Sequence, residues 1–214
     1  MASAKNARRP WSVVKVVAAL VAGVMLLTVS GCAASAKLFE DLNGALKGRQ
    51  GVMMTFNEES QVIDRIEGVS FNFNRDTTFD TRDSDGVSKN DSSVVQVSLG
   101  DSHIHHVGST MIFAESGIVN ITESLPETVR FSNTDPGTPW LNNIRHGFQN
   151  LWEGKAKTIM IRSQNGTPLA VYAGDTVEIF SSDIPKTTVF RVDGKILLVY
   201  RADYTAYDSD LLDG

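Results

Sequence analysis

The chain has 214 residues, 20 Lys and Arg against 25 Asp and Glu, a net charge of −5 and a single cysteine. That length fits one large domain or two small ones. The acidic balance disfavours nucleic acid as a partner, and one cysteine excludes an internal disulfide framework.

The chain opens on a basic head. Lys5, Arg8, Arg9 and Lys15 are the only charges before residue 32, and from Val16 to Val29 all fourteen residues but Thr28 are apolar or small. Such a run is too short to cross a hydrocarbon core as a helix, which takes roughly 20 residues. It fits the hydrophobic region of an export signal. Val29-Ser30-Gly31-Cys32 follows, as in a bacterial lipoprotein signal. This order predicts a signal peptide over 1–31, cleavage between Gly31 and Cys32, and a diacylglyceryl group on the Cys32 sulfur. Two acyl chains anchor stably where one is marginal. The expected address is the outer face of the cell membrane. An uncleaved N-terminal anchor with an idle cysteine is the alternative. Arg8-Arg9 suggests twin-arginine export, but Pro10, Trp11 and Ser12 follow it poorly, which favours the general secretory route.

After the anchor, Leu38, Phe39, Leu42, Ala45 and Leu46 recur at helical spacing, with Gly48 placed to close the helix. A helix over 32–48 would hold the body close to the membrane. Strands then dominate. Met54, Phe56, Val62, Ile66, Val69, Phe71 and Phe73 fall in short alternating segments broken at Glu58-Glu59-Ser60 and at Gly68. A second series has Ile159 and Ile161, a hairpin signal at Asn165-Gly166, then Leu169, Val171, Gly174, Val177 and Ile179. The two series align without a gap at an offset of 106, Met54 on Met160 and Gly68 on Gly174. A further pair, Val95 and Val97 with Ile104 and Val107, resembles Phe190 and Val192 with Ile196, Leu198 and Tyr200 at an offset of 94 or 95.

These patterns predict a mainly β (α+β) chain of two related five-stranded antiparallel meanders, each a small sheet or partly open barrel. The first repeat spans 49–122 with an acidic loop at 76–92, and the second spans 156–214. Between them, 123–155 holds a connector and an amphipathic helix. There Thr138 and Pro139 form the start, Trp140, Leu141, Ile144, Phe148, Leu151 and Trp152 one face, and Gly154 the end.

Little in the chain points to chemistry. His103 and His105 share one face of a strand, with Asp101 nearby, and are weak candidates for half of a zinc or copper site. Asp76, Asp80, Asp83, Asp85 and Asp91 crowd one loop. An EF-hand register with Gly86 at position six leaves Thr81 and Ser92 where carboxylates are needed. A mobile acidic loop is expected instead, placed to serve in recognition. Hydrolase signatures and phosphate-cradling glycine loops are missing, so no catalytic residue is assigned.

SQNGTPLAVYAGDTV at 163–177, PKTTVFRVDGKILLVYRADY at 185–204 and GSTMIFAESG at 108–117 resemble a family of uncharacterised Gram-positive lipoproteins, domain of unknown function family 5052. The likeness runs from Cys32 to Leu212 and is loose from Thr77 to Ser92. It implies a lipidated, extracytoplasmic, β-rich protein and carries over no residue beyond Cys32.

The expectation is a non-catalytic envelope binding or scaffolding module with no cofactor, engaging the membrane through its lipid and an envelope protein or glycan through exposed loops. A carrier holding a small apolar or metal ligand between the halves is the first alternative. An unrecognised envelope hydrolase is the second.

Overall fold

The computed structural model describes residues 44–124 and 155–209. Most of the helix expected over 32–48 lies outside them. Gly44 and Ala45 are helical, and Gly48 takes φ +67° just before the first strand. The helix expected after Pro139 lies wholly outside the described residues.

Among the described residues the chain is built almost entirely of antiparallel strands. They are β1 (Arg49–Phe56), β2 (Val62–Arg75), β3 (Thr81–Arg82), β4 (Ser88–Asn90), β5 (Val95–Leu99), β6 (Ser102–His106), β7 (Thr110–Glu115), β8 (Lys157–Arg162), β9 (Pro168–Gly174), β10 (Val177–Ser181), β11 (Thr187–Val192), β12 (Lys195–Tyr200) and β13 (Asp203–Asp208). One eight-stranded sheet has the order β10-β11-β12-β7-β1-β2-β5-β6; a three-stranded sheet is β13-β8-β9; β3 and β4 form a small ribbon. The sheets are open. The expected pair of self-contained five-stranded units is corrected, because β12 joins β7 and draws strands from both ends of the chain into one sheet.

Equivalent ladders nevertheless run in the same registers. Met53 faces Ile66 across β1 and β2, and Ile159 faces Tyr172 across β8 and β9, 106 positions on at both strands. Val97 faces Ile104, and Phe190 faces Leu197, 93 positions on. That offset replaces the 94 or 95 read from the apolar pattern. A sixth strand closes each set: β7 lies on β1 with Phe113 opposite Met53, and β13 on β8 with Ala206 opposite Ile159.

The two sets differ at one corner. β2 passes from β1 to β5 at Phe71 without a break, with Ser70 at φ +64° beside the crossing. At the matching place the chain ends β9 at Gly174 and begins β10 in the other sheet. Each corner has a glycine under a side chain. A Cβ on Gly68 would stand 2.8 Å from Leu99 Cδ2, and one on Gly174 would stand 2.7 Å from Val192 Cγ1.

Side chains of successive residues alternate across the central strands. Ile112 faces the three-stranded sheet, in a cluster with Met54, Phe56, Ile159, Tyr172, Phe190, Leu197 and Val199. Phe113 turns the other way, its ring 5.0 Å from Phe71 and 4.8 Å from Phe73, whose strand segment folds back over it. Covered on both faces, β7 and β12 carry continuous apolar runs rather than alternating ones, as doubly buried strands do. Each fully buried side chain of this size stabilises by about 1.5–3 kcal/mol. The seam where a carrier would hold an apolar ligand is filled by this cluster among the described residues.

Candidate functional site

Gly31 and Cys32 lie outside the described residues. Among the described residues, no helix is long and apolar enough to cross a membrane.

His103, His105 and His106 sit on β6, at the end of the eight-stranded sheet. His103 Nδ1 pairs with Ser98 Oγ at 3.0 Å, His105 Nδ1 with Asp76 Oδ2 at 2.8 Å, and His106 Nε2 with the Ser109 carbonyl at 2.9 Å. Each imidazole thus spends a ring nitrogen on a different partner. Among the described residues, no group of three or more His, Cys, Asp or Glu side chains is gathered to hold a metal ion. The carboxylate beside His105 is Asp76 rather than Asp101, brought there by the fold across 29 positions of chain. Asp76 caps a short 3-10 turn, Thr77–Phe79. Hydrogen bonds from Thr78, side chain and backbone, hold its carboxyl below the ordinary carboxylate range, and His105 adds to this.

Hydrogen bonds and ion pairs run through the loop at 76–92. Asp80 Oδ1 accepts from the Ser92 amide at 2.8 Å, and Asp83 Oδ1 accepts from the amides of Asp85 and Val87 at 3.0 and 2.8 Å. Arg75 pairs with Asp80 and Asp91. The β3–β4 ribbon sits within it. The carboxylates of Asp80 and Asp83 are turned onto amides of their own loop.

The place where several turns converge is elsewhere, around Arg201. Four strand connections meet there: residues 57–61 after β1, 107–109 after β6, 163–167 after β8, and 201–202 after β12. The first and third are stitched together, Ser60 Oγ donating to Ser163 Oγ at 3.2 Å and Asn165 Nδ2 to the Glu58 carbonyl. Thr110 Oγ1 and Gln164 Nε2 both donate to the Arg201 carbonyl, at 2.7 and 3.4 Å, and the Arg201 amide donates to the Lys186 carbonyl at 3.0 Å. The backbone of Arg201 is therefore fixed on three sides.

It is fixed in an unusual conformation. Arg201 takes φ +51°, in the left-handed region that costs a residue with a Cβ about 1–2 kcal/mol. Arg201 lines two clefts, one of about 480 Å³ and one of about 510 Å³. Asn57, Glu58, Glu59, Ser109, Ser163 and Gln164 line the first. Arg201 Nε is buried and has no hydrogen-bond partner among the described residues. Phe56 and Ile63 line the first cleft too, and a cleft of carboxylate, amide and hydroxyl groups beside apolar side chains suits a ligand with hydroxyl or peptide groups.

Arg201 was not singled out from the sequence. The available signal was positional, since the glycine of the matching turn is replaced here by an arginine.

The family model described as Domain of unknown function (DUF5052) matches residues 14–212. No curated protein and no solved structure matches the chain.

Proposed function

We propose that this chain, which belongs to the DUF5052 family, is a lipid-anchored, non-catalytic binding or scaffolding module on the outer face of a Gram-positive cell membrane. In this reading it is built from two related β halves and holds a polar envelope partner, peptide or glycan, in the clefts beside Arg201. The observation that carries the binding reading is Arg201 itself. A residue kept in a left-handed turn at a cost of about 1–2 kcal/mol, where it lines two clefts, is read here as strain that serves binding. Support for the anchor comes from the basic head, the short apolar run and Gly31-Cys32.

Crosslinked envelopes from cells carrying wild type or Arg201→Gly test the binding role. Wild type recovers a partner that Arg201→Gly loses. Equal recovery by both, or repeated recovery of nothing by wild type, overturns it. Palmitate labelling tests the anchor separately: wild type takes label, Cys32→Ala does not, and equal labelling refutes lipidation.

A further inference from the structure

We propose that β6 of one chain adds as an antiparallel strand to β13 of a second copy, repeating between molecules the joint that β12 and β7 make within one, so that copies associate head to tail. This stands apart from the Arg201 reading and does not depend on it.

β6 ends the eight-stranded sheet and β13 ends the three-stranded one. The registers that relate the two sets of ladders carry β6 onto β12 and β7 onto β13, each by 93 positions. Inside the chain β12 pairs with β7, Leu197 opposite Ala114 and Tyr200 opposite Met111. The corresponding pair, β6 with β13, is unmade, because the two strands lie in different sheets. One set of ladders thus uses its β7 edge, while its counterpart β13 has no strand beyond it in its sheet among the described residues. β6 of a second molecule would complete the series.

Transferring the internal register sets Ile104 opposite Tyr207, His105 opposite Ala206 and Val107 opposite Tyr204. The side chains at the last position bear this out in their exposure. Tyr200 and Met111, which meet at the internal joint, are fully buried, whereas Val107 is 60 % exposed and Tyr204 37 %. The same register brings His103 opposite Asp208. Its internal counterpart is Ile196 and Glu115, where Glu115 Oε2 accepts the Ile196 amide at 2.7 Å. An acidic acceptor recurs at the end of both seams. β6 also lacks the usual protection of an edge strand: it contains no lysine or proline and pairs with β5 in unbroken register. An interface that uses different surfaces on its two sides builds a ring or an open row, not a closed two-fold dimer.

Full-length chains in mild detergent, all with Cys32→Ser to remove the third thiol, test the geometry. One sample carries Val107→Cys, a second Tyr204→Cys, and a third mixes the two. Directly opposed residues on antiparallel strands stand close enough for a disulfide. Mild oxidation should link the mixture into dimers several-fold more than either variant alone. Absence of that excess while both variants melt like the Cys32→Ser chain overturns the proposal, as does equal linking of a single-variant sample. Should a cysteine variant misfold, sedimentation of Cys32→Ser and Cys32→Ser/Val107→Lys chains decides. Mass that grows with concentration and falls back with the lysine supports the joint, and a Cys32→Ser chain that stays monomeric at every concentration refutes it. Arg201→Gly should leave the cross-link intact, which separates this proposal from the cleft reading.

Discussion

Gly108 and Arg201 stand at the same position of two equivalent turns, 93 residues apart, and both have positive φ, +100° and +51°. One turn uses the residue that takes this conformation freely, and the other uses an arginine. Replacing Arg201 with glycine should therefore relieve backbone strain and remove a guanidinium whose Nε lacks a partner among the described residues. The expected outcome is a melting temperature unchanged or raised, equivalent to up to about 1 kcal/mol, together with loss of partner capture. A clear fall in melting temperature would make Arg201 a structural residue and undo the argument from strain.

The glycines at the two corners make a graded prediction. Gly68 lies under Leu99 and Gly174 under Val192, again matched by offsets of 106 and 93. An alanine at Gly68 meets the far end of a leucine, which can swing aside, and the edge of the Phe71 ring at 3.3 Å. An alanine at Gly174 meets a methyl of a β-branched side chain with little rotamer freedom, and Asp193 Cγ stands 3.3 Å away as well. Gly174→Ala should cost about 1–3 kcal/mol and Gly68→Ala less, measured by denaturant unfolding. The reverse order would show that contact stiffness is not what decides.

Much of the strand pattern was legible because alternation and turn chemistry are local. Asn165-Gly166 forms the β8–β9 turn, with Gly166 at φ +86° and its amide bonded to the Ser163 carbonyl at 2.9 Å. The closing strands escaped for opposite reasons. β7 is buried on both faces and shows no period of two, while β13 is Asp-Tyr-Thr-Ala-Tyr-Asp and shows too little apolar contrast. The β7–β12 joint is a long-range choice that no local pattern encodes. His105 pairing with Asp76 was hidden for the same reason: Asp101 was near in sequence, whereas Asp76 is near in space. The carboxylates of the 76–92 loop could be counted but not oriented, so their mutual bonding with backbone amides read as excess charge.

Two buried tyrosines should respond in opposite ways to loss of the hydroxyl. Tyr200 Oη donates to the Ser93 carbonyl at 2.8 Å. Tyr172 Oη is buried without a partner among the described residues, and burial raises its pKa well above the ordinary phenol value. Tyr200→Phe should destabilise by about 1 kcal/mol, while Tyr172→Phe should be neutral or slightly stabilising. Equal losses in thermal melts would mean that Tyr172 Oη is satisfied in solution.

Asp76 gives the pH dependence a definite sign. Its carboxyl is held below the ordinary range by Thr78 first and by His105 after it. The folded protein therefore binds this proton less readily than the unfolded chain, whose aspartates titrate near ~3.9. Stabilisation from the charge is complete above that value and is lost as pH falls through the lower, folded one. Asp76→Asn keeps an oxygen to accept the Thr78 amide, removes the charge and turns the oxygen beside His105 into an amide donor. Wild type should melt above the variant from neutral pH down to about pH 4, and the gap should close below that as the unfolded-state value is passed. A gap that persists unchanged to strong acid would assign the stabilisation to hydrogen-bond geometry alone, with no contribution from the ionised carboxylate beside His105.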